Sequence, residues 1–304
     1  MISILIAAYN NRLTPLVRSL HQQALGASLD FEIRIHENGQ DPDCERENRE
    51  LERLPKVFID FRKSAPNRAS SRNWLAAQAQ GRYLLFLDGD SFPTGDRFID
   101  RYVDALDPKT VLVGGTAYRT DPPELDRRLR WVYGTQREVR TAAERNRNPY
   151  SSFSSFNFVL PAELKEAARF DESIQGYGHE DTMLGYSLKH RCIRVVHIDN
   201  PMFHDGLDPN DTFVQKSLEA VENLKRLIDQ GRIDEEVTLY RWMNRVERSG
   251  TRGALIALWR QARPWMERSL GSGRGSLVLF DLLRLGALLE MRAQSGSTPF
   301  KKPL

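Results

Sequence analysis

Two carboxylates separated by one glycine, Asp88-Gly89-Asp90, are the sharpest chemical feature of the sequence. They follow an apolar run, so both side chains would leave the end of a buried strand together, and the glycine lets a ligand approach the backbone closely. Such a pair suits a hard divalent cation that keeps coordination positions open for phosphate oxygens. An ordinary acidic turn explains the motif equally well, because D-x-D often occurs by chance.

The segment from Gly176 to Asp181 carries a second pair of carboxylates, Glu180 and Asp181. Tyr177 lies between two glycines, a composition that suits a mobile loop closing over a ligand. At the start of a predicted helix, one carboxylate can orient an acceptor hydroxyl while the other removes its proton. The alternative is that these acidic residues only stabilise the helix N-terminus.

A single histidine, His204, follows the strand that comes after this helix. A neutral imidazole at this point could add a ligand to a metal ion held by Asp90. The alternative is a histidine with a purely structural role.

Strands and helices that alternate along the first 115 residues must position these groups. Short apolar or alternating runs predict strands at residues 2–8, 31–35, 57–61, 83–87 and 111–113. Such alternation implies crossover units and a mainly parallel sheet, in which ligands bind outside the carboxyl ends of the strands. We therefore expect three polar clusters to converge on one crevice: Tyr9-Asn10, Glu37-Asn38 and Asp88-Gly89-Asp90.

The composition excludes several functional classes. A chain of 304 residues can bury a sizeable core, and its two cysteines cannot form a disulfide framework. The formal net charge of +3 is too small to indicate a nucleic-acid partner. No GxGxxG follows the first strand and no P-loop lysine motif occurs, which argues against ordinary dinucleotide and NTPase sites. The cysteine usage suits a reducing compartment, so we expect a cytoplasmic location.

Several longer motifs occur in one order along the chain. They are Ile4 to Asn10, Ala69 to Asn73, Ala79 to Asp90, Ser155 to Phe158, Phe170 to Glu172, and Gly176 to Leu184. Through these motifs, residues 1–206 resemble the nucleotide-sugar glycosyltransferases of family 2, which have the GT-A fold. From Ser155 onward the chain is similar to the acceptor half of the β-1,4-galactosyltransferase and chondroitin-polymerase-like branch.

The resemblance implies an α/β fold class with GT-A architecture, in which a Rossmann-like, mostly parallel sheet is flanked by helices. Residues 1–206 would form the glycosyltransferase domain, with a nucleotide-sugar half at 1–115 and an acceptor half at 116–206. Residues 207–304 would form a C-terminal helical extension.

The resemblance also implies a donor site. Glu37 would help to hold the uridine, at a position where the family more often has aspartate, and Arg72 would lie near the base or the diphosphate. The residues implied to bind the nucleotide sugar are Ala8, Tyr9, Asn10, Glu37, Asn67, Arg72, Asp88 and Gly89.

The same resemblance implies the metal and acceptor sites. Asp90 would bind Mn²⁺ or Mg²⁺, with His204 as a further protein contact and Asp88 on the metal or the ribose. Asp181 would be the general base, and Glu180 would bind the acceptor together with Tyr177 and Gly178, the tyrosine acting as a stacking platform for a sugar ring. These roles together make a metal-dependent, inverting hexosyl- or N-acetylhexosaminyltransferase that works by single displacement.

The acceptor implied by the family is a glycan or a lipid-linked glycan of the cell envelope or an exopolysaccharide. Two other classes stay open. A sugar nucleotidyltransferase or pyrophosphorylase would also use a parallel sheet and paired aspartates, although Tyr9-Asn10-Asn11-Arg12 is not its usual glycine-rich phosphate loop. A non-catalytic sugar-binding assembly protein would not need all of these carboxylates in one cleft.

The helical C-terminal part raises the question of membrane contact. The segment from Gly275 to Met291 is strongly apolar but too short and too charged at its centre to span a bilayer. We expect an amphipathic helix that either packs on the protein or lies on the inner face of the cell membrane, with Trp259 and Trp265 nearby. The arginine-rich stretch from Glu124 to Arg147 predicts a helix, either solvated or facing anionic lipid.

Overall fold

The computed structural model describes residues 1–27, 29–62 and 68–294. These residues form two compact units. The first unit comprises residues 1–121, 134–174 and 180–207, and the second comprises residues 122–133, 175–179 and the chain from residue 208 onward.

The described strands all lie in the first unit. They are β1 (Ile2–Ala8), β2 (Phe31–Glu37), β3 (Val57–Phe61), β4 (Tyr83–Asp88), β5 (Ser91–Pro93), β6 (Thr110–Val113), β7 (Thr116–Ala117), β8 (Asn157–Pro161), β9 (Arg194–His197) and β10 (Met202–His204).

The described α-helices are divided between the units. They are α1 (Thr14–Gly26), α2 (Pro42–Asn48), α3 (Arg68–Gln78), α4 (Phe98–Ala105), α5 (Arg128–Tyr133), α6 (Ala142–Arg145), α7 (Glu180–His190), α8 (Asn210–Asp229), α9 (Thr238–Ser249), α10 (Arg252–Gly271) and α11 (Leu277–Gln294). The second unit contains α5 and α8 to α11, and the others belong to the first unit.

A seven-stranded sheet forms the centre of the first unit, in the order β3-β2-β1-β4-β8-β6-β9. All neighbouring strands are parallel except β8, which runs antiparallel to β4 and β6. The predicted mostly parallel α/β sheet is therefore confirmed. A smaller sheet in the order β5-β10-β7 adds three short strands.

The strands of this sheet are apolar on both faces because helices cover both sides. In β1, Ile4 and Ile6 belong to a core that includes α1 and α4, whereas Leu5 faces a second core that includes α3 and α7. Buried on both faces, the strands hold their carboxyl ends at one fixed edge of the sheet.

The second unit is helical, and α11 is packed inside it. The ring of Phe280 stacks on that of Phe213 with centroids 5.2 Å apart, and Leu283 and Leu288 are fully buried. The indole N–H of Trp259 donates to the carbonyl oxygen of Leu283 at 3.1 Å. Packing against neighbouring helices therefore takes up most of the apolar surface of α11. Among the described helices, none has the length and the hydropathy that crossing a bilayer would require.

The arginine-rich stretch from Glu124 to Arg147 is helical over most of its length, as predicted, but it is not one continuous helix. The chain passes through α5, a π-helical turn at Gly134–Glu138, and the short helix α6. Gly134 lies directly against the ring of Tyr118, which leaves no room for a side chain. Arg145 is buried and donates to the carbonyl oxygens of Val113 and Ile198, so it stabilises the fold instead of facing solvent.

Candidate active site

The ends of β1 and β2 form the first part of the candidate site. Their parallel register places Ala8 beside Glu37, and Asn10 follows β1 in the left-handed region with φ of 54°. The backbone N–H of Asn10 donates to Glu37 Oε1 at 2.9 Å, and its side-chain oxygen accepts from the amide of Gln40 at 2.8 Å. Tyr9, between them, exposes 49% of its surface and presents an aromatic ring at this edge.

Glu37 is a buried carboxylate with one acceptor oxygen left over. Oε1 accepts from the amides of Asn10 and Gly39, whereas Oε2 has no hydrogen-bond partner within the described part of the chain. Burial raises the pKa of Glu37, and the amides of Asn10 and Gly39 act in the opposite direction. An unsatisfied buried acceptor is costly unless a ligand donates to it, so this oxygen suits the N–H group of a base.

Gly39 is part of this site, although it was not predicted from the sequence as a site residue. A Cβ atom on Gly39 would lie 2.5 Å from the amide nitrogen of Asn10 and 2.6 Å from Glu37 Oε1. The residue must therefore be glycine for the two strand ends to approach. The Glu-Asn-Gly turn sequence is the signal that could have identified it.

The end of β4 brings the first aspartate of the D-x-D motif to an arginine. Arg72, buried on α3, donates to Asp88 Oδ1 at 2.5 Å. Gly89 donates its N–H to the carbonyl oxygen of Ala7, and a Cβ at that position would lie 2.8 Å from the Cβ of Ala8. The donor residues predicted from β1 and β4 are thus adjacent, and Asp88 is held by an arginine.

The second aspartate of the motif meets the predicted histidine. In the small sheet, β10 pairs antiparallel with β5 so that His204 lies opposite Ser91, and the amide of Asp205 donates to the carbonyl oxygen of Asp90 at 2.9 Å. This pairing places His204 Nε2 3.6 Å from Asp90 Oδ2. Gly206 packs so closely on the Asp90 side chain that a Cβ there would clash with it.

A divalent metal ion fits the pair of Asp90 and His204 chemically. One carboxylate oxygen and one imidazole nitrogen are ligand types that Mn²⁺ accepts, and they face each other across a short gap. Burial raises the pKa of Asp90, and the nearby His204 lowers it. Among residues 1–27, 29–62 and 68–294, however, no cluster of three or more histidine, cysteine or acidic side chains is placed to hold a metal ion. Asp88, which the sequence added to the set, is paired with Arg72.

The predicted base lies at the start of α7. Asp181 accepts hydrogen bonds from the hydroxyl and the backbone amide of Ser155. Burial raises the pKa of Asp181, whereas the positive charge of Arg72 and the bonds from Ser155 lower it. A carboxylate held in one orientation, with its pKa above the ordinary value, is suited to accept a proton near neutral pH.

Glu180 shares this environment. Burial is the main cause that raises the pKa of Glu180, and the negative charge of Asp181 raises it further, whereas Arg68 and Arg72 lower it. These arginines are one turn apart on α3 and therefore lie on the same face of that helix. Arg68 also lowers the pKa of Asp90. Neither the role of Arg68 nor the contact of Ser155 with Asp181 was predicted from the sequence.

Tyr177 and Gly178 belong to the second unit, where α8 holds their loop. The side-chain amide of Asn223 donates to the carbonyl oxygens of Gln175 and Tyr177 at 2.9 and 3.0 Å. Gly178 has φ of 98°, and a Cβ there would lie 2.5 Å from that of Ala220. This loop is thus anchored at its backbone, and the roles of Tyr177 and Gly178 in acceptor binding stay predictions. Asn67 lies outside the described residues.

The family of the protein follows from a sequence comparison. A family model described as glycosyl transferase family 2 matches residues 3–160, more than half of the chain. The chain belongs to glycosyl transferase family 2. The matched region contains the strand ends β1, β2 and β4 that carry the candidate donor residues. The match does not distinguish the galactosyltransferase and chondroitin-polymerase-like branch, which stays a prediction.

The chain is also similar to solved structures. One is the mannosyltransferase PcManGT from Pyrobaculum calidifontis, solved in complex with GDP-Man and Mn²⁺. It shares 13% identity with this chain and has a TM-score of 0.53, over 98% of this chain and 76% of that one. Residues 1–349 of S. aureus TarS share 15% identity, with a TM-score of 0.49 over 97% of this chain and 92% of theirs. No curated protein sequence matches the chain. At 13% identity, the likeness to the mannosyltransferase is one of fold.

Proposed function

We propose that this glycosyltransferase moves a hexosyl or N-acetylhexosaminyl group from a UDP-linked donor to a hydroxyl group of a glycan or lipid-linked glycan, with inversion. The observation that carries the proposal is the group of four carboxylates, Asp88, Asp90, Glu180 and Asp181, whose charges interact with one another and with the arginines of α3. Burial raises the pKa of Asp181, as is expected of a group that is to accept a proton.

The uracil preference rests on Glu37. Oε1 is already saturated by two backbone amides, so Oε2 offers one acceptor, which matches the single imide N–H of uracil. Guanine would present two adjacent donors to a carboxylate, and only one oxygen is available here. The exposed ring of Tyr9 offers a stacking surface beside that position.

The diphosphate would lie between the cationic and acidic groups. Arg68 and Arg72 supply positive charge on one face of α3, toward the carboxylates of Asp90 and Asp88 respectively. Asp90 and His204 would hold the divalent cation, which when bound neutralises negative charge on the departing diphosphate. A mannosyltransferase with the same fold was solved with GDP-Man and Mn²⁺, which supports a divalent cation as part of the proposal.

Asp181 would act as the base on the acceptor side. It takes the proton of the acceptor hydroxyl onto its carboxylate while that oxygen bonds to the anomeric carbon of the donor sugar. The bond from the anomeric carbon to the diphosphate oxygen breaks, and both bonding electrons leave with the nucleoside diphosphate. Attack opposite to the leaving group inverts the anomeric centre. Glu180, next to it, would position the hydroxyl, with Tyr177 and Gly178 contributing to acceptor binding.

Calorimetry with UDP tests the donor half of the proposal. We expect UDP to bind the wild-type protein in Mn²⁺ at least about tenfold more tightly than in EDTA, because a cation held by Asp90 and His204 would neutralise negative charge on the diphosphate. Asp90→Ala should bind weakly in both conditions. Asp104→Ala, an exposed aspartate on α4, is the matched control and should behave as wild type. Equal UDP binding in Mn²⁺ and EDTA, or tighter binding of GDP than of UDP, would contradict the proposal.

We place the enzyme in the cytoplasm, at the inner face of the cell membrane, where lipid-linked acceptors and soluble nucleotide sugars meet. This location rests on the proposed acceptor and on the cysteine usage of the chain.

A further inference from the structure

Among its described residues, the second unit exposes a group of apolar side chains on the helix pair α10 and α11. Five side chains form it, each between 38% and 67% exposed: Leu255, Leu258, Trp265, Val278 and Leu282. We call these five residues the α10–α11 patch. Scattered exposed apolar residues are ordinary on a protein surface, whereas a set on two adjoining helices indicates an interaction site.

The two helices run antiparallel, which brings the five residues together. A short turn connects them, Trp259 bonds to the carbonyl oxygen of Leu283, and Arg260 Nε donates to Glu290 Oε1 at 2.7 Å. The same alignment places Trp265 level with Leu282. At about 100° per residue, the exposed residues of each helix form one stripe beside the contact between the helices, and both stripes lie on the same side of the pair.

The opposite faces of these helices are already used. Ile256, Trp259, Met266 and Leu270 of α10 are buried, as are Leu277, Phe280 and Leu283 of α11. The sequence pattern directed attention to α11, but packing covers most of that helix and leaves only Val278 and Leu282 exposed at its start. The uncovered surface is therefore mainly a property of α10.

The positive charge around the patch indicates what kind of surface it would bind. Residues 238–294, which contain α9 to α11, include ten arginines, no lysine and four acidic residues, a formal net charge of +6. Two of these arginines adjoin the patch: Arg268 follows Trp265 by three residues, and Arg274 lies in the turn before Val278. Neither makes an ion pair with a carboxylate of the described residues; the Arg268 Nε donates to the carbonyl oxygen of Pro264.

We propose that the α10–α11 patch docks on the surface of an anionic lipid bilayer. The leucine, valine and tryptophan side chains would enter the boundary between headgroups and acyl chains, and Arg268 and Arg274 would contact lipid phosphates. Arginine suits this position because its aliphatic stem lies along apolar surface while its guanidinium reaches the phosphates. The inference stands on the second unit alone and does not depend on the proposed donor or base.

Vesicle flotation of the full chain tests the proposal. We expect wild type to float with vesicles of phosphatidylcholine and phosphatidylglycerol and not with phosphatidylcholine alone, and to be released by added salt. The double variant Leu258→Glu/Trp265→Glu should bind the anionic vesicles at least about tenfold more weakly. The matched control is Leu25→Glu/Phe58→Glu, which makes the same chemical change at two exposed apolar residues of the first unit and should float as wild type.

A second measurement separates docking from loss of folding. Brominated phosphatidylglycerol should quench the tryptophan fluorescence of wild type more strongly than that of Trp265→Phe, since Trp265 would be the tryptophan nearest the acyl chains. The proposal is overturned if wild type does not float with anionic vesicles, or if both glutamate variants float equally. It is also overturned if wild type is a dimer that Leu258→Glu/Trp265→Glu dissociates while no vesicle binding occurs, because the patch would then join two copies of the chain.

Discussion

At the scale of single residues, the character of the candidate base is set by its neighbours more than by its own chemistry. Burial alone would keep Asp181 protonated at higher pH and so make it a poor base. The positive charge of Arg72 and two hydrogen bonds from Ser155 act against burial and stabilise the carboxylate. The balance leaves the pKa of Asp181 raised, so transfer should fall as the pH decreases through that value.

Ser155→Ala tests this balance. The substitution removes the hydroxyl donor but keeps the backbone amide, so the pKa of Asp181 should rise and the acid limb of the kcat profile should move to higher pH. We expect roughly a tenfold loss of kcat at the acid end and little at the alkaline end. The measurement is kcat against pH, with Ser152→Ala as control and Asp181→Asn as the inactive reference. An unchanged profile in a less stable Ser155→Ala protein would show that the serine is only structural.

At the scale of elements, the site depends on how short turns bring strand ends together. The turn after β2 lets Glu37 accept from Asn10 and Gly39 while one of its oxygens stays available. The pairing of β10 with β5 likewise brings the side chain of His204 close to that of Asp90. These contacts join residues far apart in sequence, and each requires a glycine, Gly39 or Gly206, that leaves space for the partner.

Gly39→Ala should therefore weaken nucleotide binding more than it weakens the fold. The added methyl group would press on the amide of Asn10 and on Glu37 Oε1, both of which shape the proposed uracil site. We expect the Kd for UDP in calorimetry to rise by about tenfold or more, with a small change in Tm. Gly95→Ala is the control, because nothing lies within 4 Å of a Cβ at that position. Equal UDP affinity in the two variants would exclude Gly39 from the site.

At the scale of the whole molecule, stability in acid depends on a buried histidine of the first unit. His197 Nε2 donates to the carbonyl oxygen of Pro149, and its Nδ1 accepts from Arg145, both at 2.9 Å. The pKa of His197 is lowered from an ordinary value of 6.5 to about 4. Burial is the main cause, and the positive charge of Arg145 lowers it further. Between these values only the unfolded chain binds the proton, so the folded state loses stability as the pH falls.

The expected loss is about 2–3 kcal/mol of unfolding free energy between about pH 7 and about pH 4.5. His197→Gln removes the titrating group, so its unfolding free energy should depend less on pH by about that amount, even if the variant is less stable at neutral pH. Urea unfolding followed by circular dichroism at both pH values gives the comparison. A parallel decline in wild type and variant would mean that other groups control acid unfolding.

The main strands of the sheet, and the edge at which the candidate site lies, were predictable from the sequence. Apolar runs and their spacing predict strands and helices because they reflect contacts that every residue of an element makes. Clusters such as Asp88-Gly89-Asp90 are local, so their position after a strand is readable without coordinates. The same is true of Glu180 and Asp181, because negative side chains at the start of a helix are stabilised by the helix dipole.

How these residues meet could not be predicted from the sequence and is seen in the folded chain. The fold pairs Asp88 with Arg72, sets Asp90 beside His204, places Ser155 on Asp181, and buries Arg145 within a stretch whose composition indicated a solvated helix. In the folded protein the exposed apolar side chains lie mainly on α10, whereas the apolar composition of the sequence pointed to α11. These contacts depend on how close segments that are distant in sequence come to one another and on how far each side chain is buried. Distance and burial control hydrogen bonding and pKa, but neither produces a periodic pattern in the sequence.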